Sequence, residues 1–205
     1  MKKLVGGLVL WMFVTGASAD VGWLNSYVYV WPGSDPDVWY DLNGSDQGQN
    51  FHGADLGTYA ITGTLFLNSQ LNAWANSDSG NNDHYIDTSF RLYYRVYLDG
   101  DTPPGWSYSQ STSITSIGGN DWRAYTPGID LVDEDLVPGD YLVDVFAYKI
   151  HYCDTGGGGS WEERIWRDGV DNQPYTAGFR VIPEPGTMGL AALGLAALAA
   201  FRRRR

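Results

Sequence analysis

From residue 20 to residue 182 the chain is dominated by alternation. Phe90, Leu92, Tyr94, Val96 and Leu98 fall on one parity, and Arg91, Tyr93, Arg95 and Tyr97 on the other. A period of two sends successive side chains to opposite faces, so the segment reads as a half-buried β-strand. Asp99-Gly100, extended through Pro103, Pro104 and Gly105, ends it with turn residues. The same reading predicts strands over Trp23–Trp31, Thr58–Leu67, Tyr141–Tyr152, Ser160–Arg167 and Tyr175–Ile182, separated by Gly, Asn, Asp and Pro clusters. No amphipathic helical stretch, internal repeat or Ser/Thr-rich stalk interrupts them. Many short, punctuated strands predict an all-β fold, a single antiparallel β-sandwich of Greek-key or jelly-roll kind.

The two ends break this pattern. Lys2 and Lys3 precede an apolar run from Leu4 to Val14, and small residues close it at Ala17-Ser18-Ala19. That is the layout of a secretory signal peptide over residues 1–19, helical in the precursor, with cleavage expected between Ala19 and Asp20. At the other end Pro183-Glu184-Pro185 leads into an uncharged stretch, Gly186 to Phe201, followed by Arg202, Arg203, Arg204 and Arg205. As a helix that stretch is about 24 Å long, short of the roughly 30 Å hydrocarbon layer but within reach if the arginines snorkel. It is therefore expected to act as a transmembrane helix. Mostly alanine and glycine, it gains less from burial in lipid than a leucine-rich span, and its arginines favour a cytoplasmic C-terminus. The expected division is a signal peptide (1–19), a β-sandwich domain (20–182) and a terminal signal (183–205).

That terminal segment resembles the PEP-CTERM sorting signal, which joins a Pro-Glu-Pro motif, a transmembrane stretch and an arginine-rich end in this order. The resemblance covers only the last 25 residues or so. It implies export through the inner membrane of a Gram-negative cell by way of signal peptidase. Processing near Pro183 to Pro185 by an exosortase, a membrane-embedded peptidase, would follow, in bacteria that usually make exopolysaccharide. The anchor would then be temporary, with delivery to the outer surface or extracellular matrix. A permanent tail anchor is the competing reading. A sortase signal would need L-P-x-T-G, and a GPI signal lacks a terminal arginine cluster. Two prolines bar helix continuation and leave an extended segment that a peptidase could read.

Composition narrows the body's partners. The chain carries a formal net charge of −11, and six of its 13 basic residues lie in the two ends, so the body is more acidic still. Such a charge opposes nucleic acid and anionic lipid and permits divalent cations or neutral partners. The sole cysteine, Cys153, has no intramolecular disulfide partner. Leu136-Val137-Pro138-Gly139-Asp140-Tyr141 is similar to the turn that opens a late strand in immunoglobulin-like sandwiches, where the tyrosine hydroxyl closes a corner on nearby backbone. The resemblance assigns that role to Tyr141. The glycines Gly156 to Gly159 are read as the connection of a hairpin.

Catalytic motifs are scarce. There is no G-x-S-x-G, H-E-x-x-H, phosphate-binding glycine loop or C-x-x-C, and His52, His84 and His151 are scattered. Glu162, Glu163 and the many aspartates leave a carboxylate pair conceivable only as a third reading, a secreted glycoside hydrolase. Asp41, Asn43 and Ser45 begin an EF-type calcium loop, which fails at Asp46 and His52. Asp78, Asp83, Asp87, Asp99 and Asp101 are calcium candidates in oxygen-rich turns, against the competing reading of ordinary solvated turns. Eight of the nine tryptophans lie in the body. Trp161 and Trp166 differ in parity along one expected strand, so at least one is expected to face outward as a sugar-stacking ring. The expected function is non-catalytic: a surface or matrix protein with a role in adhesion or exopolysaccharide organisation. A carbohydrate-binding, lectin-like module is the alternative.

Overall fold

The computed structural model describes residues 21–31, 37–42, 49–75, 77–78, 82–86, 90–112, 114–133, 135–154, 159–165, 173–184 and 186. The expected signal helix and transmembrane helix lie outside these residues. Among the described residues the elements are β-strands in two sheets, one of seven strands and one of eight, and no helix is long and apolar enough to cross a membrane.

The first sheet centres on β6 (Phe66–Ala75). Along one side runs β12 (Asp121–Asp130), with β11 (Ile114–Gly118) beyond it. Along the other side β6 pairs with both β1 (Val21–Trp23) and β2 (Tyr27–Trp31), and β3 (Val38–Asp41) and β4 (Gln49–Asn50) continue outward from β2. The second sheet centres on β13 (Gly139–Asp154), which at 16 residues is about 53 Å long. On one side β13 pairs with β9 (Arg91–Leu98) and then β8 (Asn82–Ile86). On the other it pairs with β15 (Tyr175–Ile182) and then β14 (Gly159–Ile165). Outer strands are β10 (Ser107–Gln110) on β9, β5 (Asp55–Ala60) on β15 and β7 (Ser77–Asp78) on β8.

Both sheets feed one hydrophobic cluster. Val28, Val30, Leu67, Leu71 and Ala124 of the first sheet lie in it with Leu92, Val143, Val145, Phe179 and Val181 of the second. The predicted face of β9 points this way: Leu92 is buried, with Tyr94, Val96 and Leu98 packed against the cluster. A fully buried cation also enters it. Lys149 donates from Nζ to Gly22 O at 2.7 Å and lies 4.8 Å from the centre of the Trp23 ring, stitching β1 to the opposite sheet.

Several expectations are corrected. The sheets are not purely antiparallel, because β15 with β5 and β3 with β4 run parallel. Trp23–Trp31 is two strands. Between them the Ser26 hydroxyl accepts from Asn72 N (3.0 Å) and donates to Asn72 O (3.2 Å), taking the place of a ladder partner where the chain bows away. Thr58–Leu67 is likewise split: Gly63 N donates to Ala60 O (2.7 Å), and this turn carries the chain from β5 in one sheet to β6 in the other. A Cβ at Gly63 would sit 2.9 Å from Ala60 O, so only glycine fits. The strand predicted over Ser160–Arg167 is present as β14 as far as Ile165, and residues 166–167 lie outside the described residues.

β13 and β14 form the predicted hairpin, with Cys153 opposite Gly159. The tyrosine corner is present. Tyr141 Oη donates to Val137 O (2.9 Å) and accepts from Val137 N (3.1 Å), while its ring stacks on Phe179 at 5.5 Å. Replacing Tyr141 by Phe keeps the stacked ring and deletes both bonds. The expected loss is about 1–2 kcal/mol, read as a lower urea midpoint with unchanged slope. An unchanged midpoint would show that the corner contributes nothing.

Candidate functional site

Two outer faces carry most of the remaining aromatic rings, and their chemistry differs. On the eight-stranded sheet, Tyr93 lies flat on Phe146 (4.7 Å, 5°), and Trp106 meets Phe146 edge-on at 4.7 Å. The Arg95 guanidinium covers Trp106 at 4.2 Å, and Arg91 covers Tyr108 at 4.7 Å. Phe146 and Tyr148 are buried, so the centre of this face is packed, while Tyr108 on the outer strand stays 52% exposed under Arg91. Beside it Asp144, itself buried, accepts from Arg95 Nη2 (2.7 Å), Tyr97 Oη (3.2 Å) and Thr176 Oγ1 (2.6 Å). Burial first, and then the Asp144 charge, raise the Tyr97 hydroxyl above the usual phenol range, so it stays a donor.

The seven-stranded sheet presents open rings. Strand parity puts Tyr27, Tyr29 and Trp31 of β2 outward, because Val28 and Val30 face the core. Register sets Trp39 beside Tyr29 and Tyr29 beside Asn68; in the next row Tyr27, Gln70 and Tyr125 follow one another across β2, β6 and β12. Trp39 lies nearly flat on Tyr29 (4.5 Å, 27°) and Trp31 on Phe66 (5.5 Å, 20°). Even so, Trp31, Trp39 and Tyr125 remain 41%, 40% and 49% exposed. These partly exposed rings lie close together on one face and form an exposed aromatic patch.

Polar groups are interleaved with these rings. Tyr125 Oη donates to Gln70 Oε1 at 3.1 Å, and Arg123 Nε to Asn72 Oδ1 at 3.0 Å. A Cβ at Gly128 would stand 2.6 Å from Asn68 Oδ1, so the bulge at Pro127-Gly128 leaves room for that carboxamide. Tyr29 is held above the usual phenol range, first by burial and then by the Asp37 and Tyr125 charges, and so keeps its donor proton. From β3 to β12 the rows span three strand spacings, about 14 Å.

An open cleft of about 610 Å³ lies at the β5–β15 edge, lined by His52, Asp55, Thr58, Asp140, Thr176 and Arg180 among others. His52 Nδ1 accepts from Thr176 N at 3.2 Å. Arg180 bridges both oxygens of Asp140, at 2.5 and 3.0 Å, and this bond holds the Asp140 carboxyl below the usual carboxylate range. A depressed value means the pair contributes above the unfolded carboxylate value and is lost as pH falls through the folded one. Arg180→Gln should return Asp140 to the ordinary range, visible as an upward shift in its carboxyl NMR titration. No shift would show that Arg180 is not the cause.

The sequence candidates fall in separate strands and turns, and part of them lies outside the described residues. Asp99 and Asp101 are exposed in the turn after β9, with their N–H groups bonded to Asp140 O and Leu98 O. Asp78 and Asp83 lie in the β7–β8 pair, where Asp78 faces Asn82 and Asp83 faces Ser77; their side chains, like Asp87, are outside the described residues. Asp41 is buried at the end of β3 opposite Tyr27. Among the described residues no three His, Cys, Asp or Glu side chains gather as metal ligands. Trp161 sits in β14 opposite His151, but its side chain is outside the described residues, as is all of Trp166. Sequence reasoning missed Trp31, Trp39 and Tyr125. The Tyr-Val-Tyr-Val-Trp alternation of β2 was the available signal for the first of these.

Pro183 follows directly on β15. Ile61 N donates to Ile182 O (3.0 Å) and Thr62 Oγ1 to Glu184 Oε1 (2.5 Å). Ala19, Asp20, Pro185 and Arg202 to Arg205 lie outside the described residues.

The described structure is thus a two-sheet β protein with an open aromatic face and a terminal segment leaving from a core strand. Residues 181–205 match the family model for the PEP-CTERM protein-sorting motif. That motif implies export, membrane-associated sorting and processing by exosortase. A search of curated proteins finds no match to the chain.

Proposed function

We propose that the chain is an exported, non-catalytic surface or matrix protein whose body, a two-layer β-sandwich, binds neutral polysaccharide through the outer face of its seven-stranded sheet. The observation that carries this reading is the patch of partly exposed rings, Trp39, Tyr29, Trp31 and Tyr125, in neighbouring rows with Asn68 and Gln70. Flat rings stack on the apolar faces of pyranose rings, and amide and phenol groups hydrogen-bond the hydroxyls around them. A strongly acidic body repels polyanions, which favours a neutral glycan. Signal peptidase would free the N-terminus at Ala19-Asp20, and exosortase would remove the 186–201 span, leaving the body to adhere within an extracellular matrix.

Purified mature protein should co-sediment with insoluble neutral polysaccharide. Trp39→Ala and Trp31→Ala should each weaken that binding about five- to thirtyfold, the loss of about 1–2 kcal/mol of stacking, with a cooperative urea transition retained at a midpoint lowered by the loss of the ring pair with Tyr29 or Phe66. Wild-type affinity in both variants would move the site elsewhere. Turnover of the polysaccharide would overturn the non-catalytic reading.

A further inference from the structure

The junction between body and sorting motif has no linker. β15 ends at Ile182 and the motif begins at Pro183. At that end β15 is held from both sides, with Val181 opposite Gly139 of β13 and Ile182 opposite Ala60 of β5, and Val181 is buried in the core. Beyond the strand the hold continues onto the β5–β6 turn, through Ile61 N to Ile182 O and the Thr62 hydroxyl to Glu184 Oε1. Glu184 carries the charge of the Pro-Glu-Pro motif, and one of its two carboxylate oxygens is engaged by the body itself.

A peptidase takes its substrate as an extended segment and bonds to its backbone from the side, as an added strand would. Three extended residues on one side of a cut need about 10 Å of free chain. Here the residues just before Pro183 already spend their backbone groups on β5 and β13. We propose that the folded body withholds its own sorting motif. Thr62 and the β5 edge form a docking site for the Ile182-Pro183-Glu184 segment, and exosortase reaches the motif only when this end of β15 frays. Terminal residues of a strand open at low free energy, and the rate of processing scales with the open fraction. The body thereby sets the time spent membrane-anchored. This rests on the exosortase reading above.

The test is a pulse-chase of the full-length precursor in an exosortase-bearing host, following the mature C-terminus by mass spectrometry. Thr62→Val keeps the side-chain shape and removes the donor at an exposed position. It should speed processing about two- to fivefold, the effect of releasing one exposed charge-assisted hydrogen bond. Thr62→Ser keeps the hydroxyl and should match the wild type. A Gly-Ser insertion between Ile182 and Pro183 leaves every body contact up to Ile182 in place and should speed processing at least as much as Thr62→Val. Wild-type or slower rates for both Thr62→Val and the insertion would overturn the withholding contact while leaving exosortase processing intact. Identical C-termini with and without the exosortase would overturn the sorting reading, and this proposal with it.

Discussion

β13 is the constraint on which the second sheet depends. A strand paired along both edges has no freedom of register, since a one-residue slip would turn Val143, Val145 and Ala147 out of the core and bring Asp144 in. β9 and β8 share one edge of β13 and β15 and β14 the other, so the placement of four strands follows from one. Its sequence suits a strand covered on both faces. Phe146 and Tyr148 are buried on the side away from the core, which explains a nearly continuous apolar and aromatic run where a half-exposed strand would alternate. Tyr141 pins the start of this strand to Val137, and Lys149 ties its other half to β1 across the core.

The two outer faces show how similar side chains acquire different roles. On the eight-stranded sheet, arginines lie over the rings, and Arg95 is itself anchored by Asp144, so cation and ring satisfy one another. On the seven-stranded sheet the ring neighbours are other rings and amides, with Trp39 resting on Tyr29 and Tyr125 bonded to Gln70. Among the described residues no cation lies over Trp39 or Trp31, and both stay about two-fifths exposed. The difference lies in which residues the register sets side by side, and aromatic content alone does not reveal it.

The body and the sorting segment are joined at one strand. β15 contributes Phe179 and Val181 to the core, Arg180 to the cleft, and at its end the sorting motif. A sorting signal is usually pictured as an appendage on a flexible tether, where body and signal act independently. Here the signal's first residues are continuous with the core's last.

The sequence by itself determined what depends on local order along the chain. Parity along Phe90–Leu98 yielded that strand and its two faces, turn residues bounded the strand Tyr175–Ile182, the resemblance of Pro138-Gly139-Asp140-Tyr141 pointed to the corner, and the Pro-Glu-Pro, apolar span and arginines marked the sorting segment. Tertiary structure decided what depends on partners distant in sequence. The splits at Ser26 and Gly63 arise because Asn72 and the opposing sheet claim the chain there, which alternation cannot register. The parallel pairing of β5 with β15 joins segments more than a hundred residues apart, and it is this pairing that brings Thr62 to Glu184. The open aromatic face likewise exists only once β3, β2, β6 and β12 lie side by side. β3 and β12 supply one ring each, β2 three, and β6 a ring with its amides, and only their pairing brings these within about 14 Å.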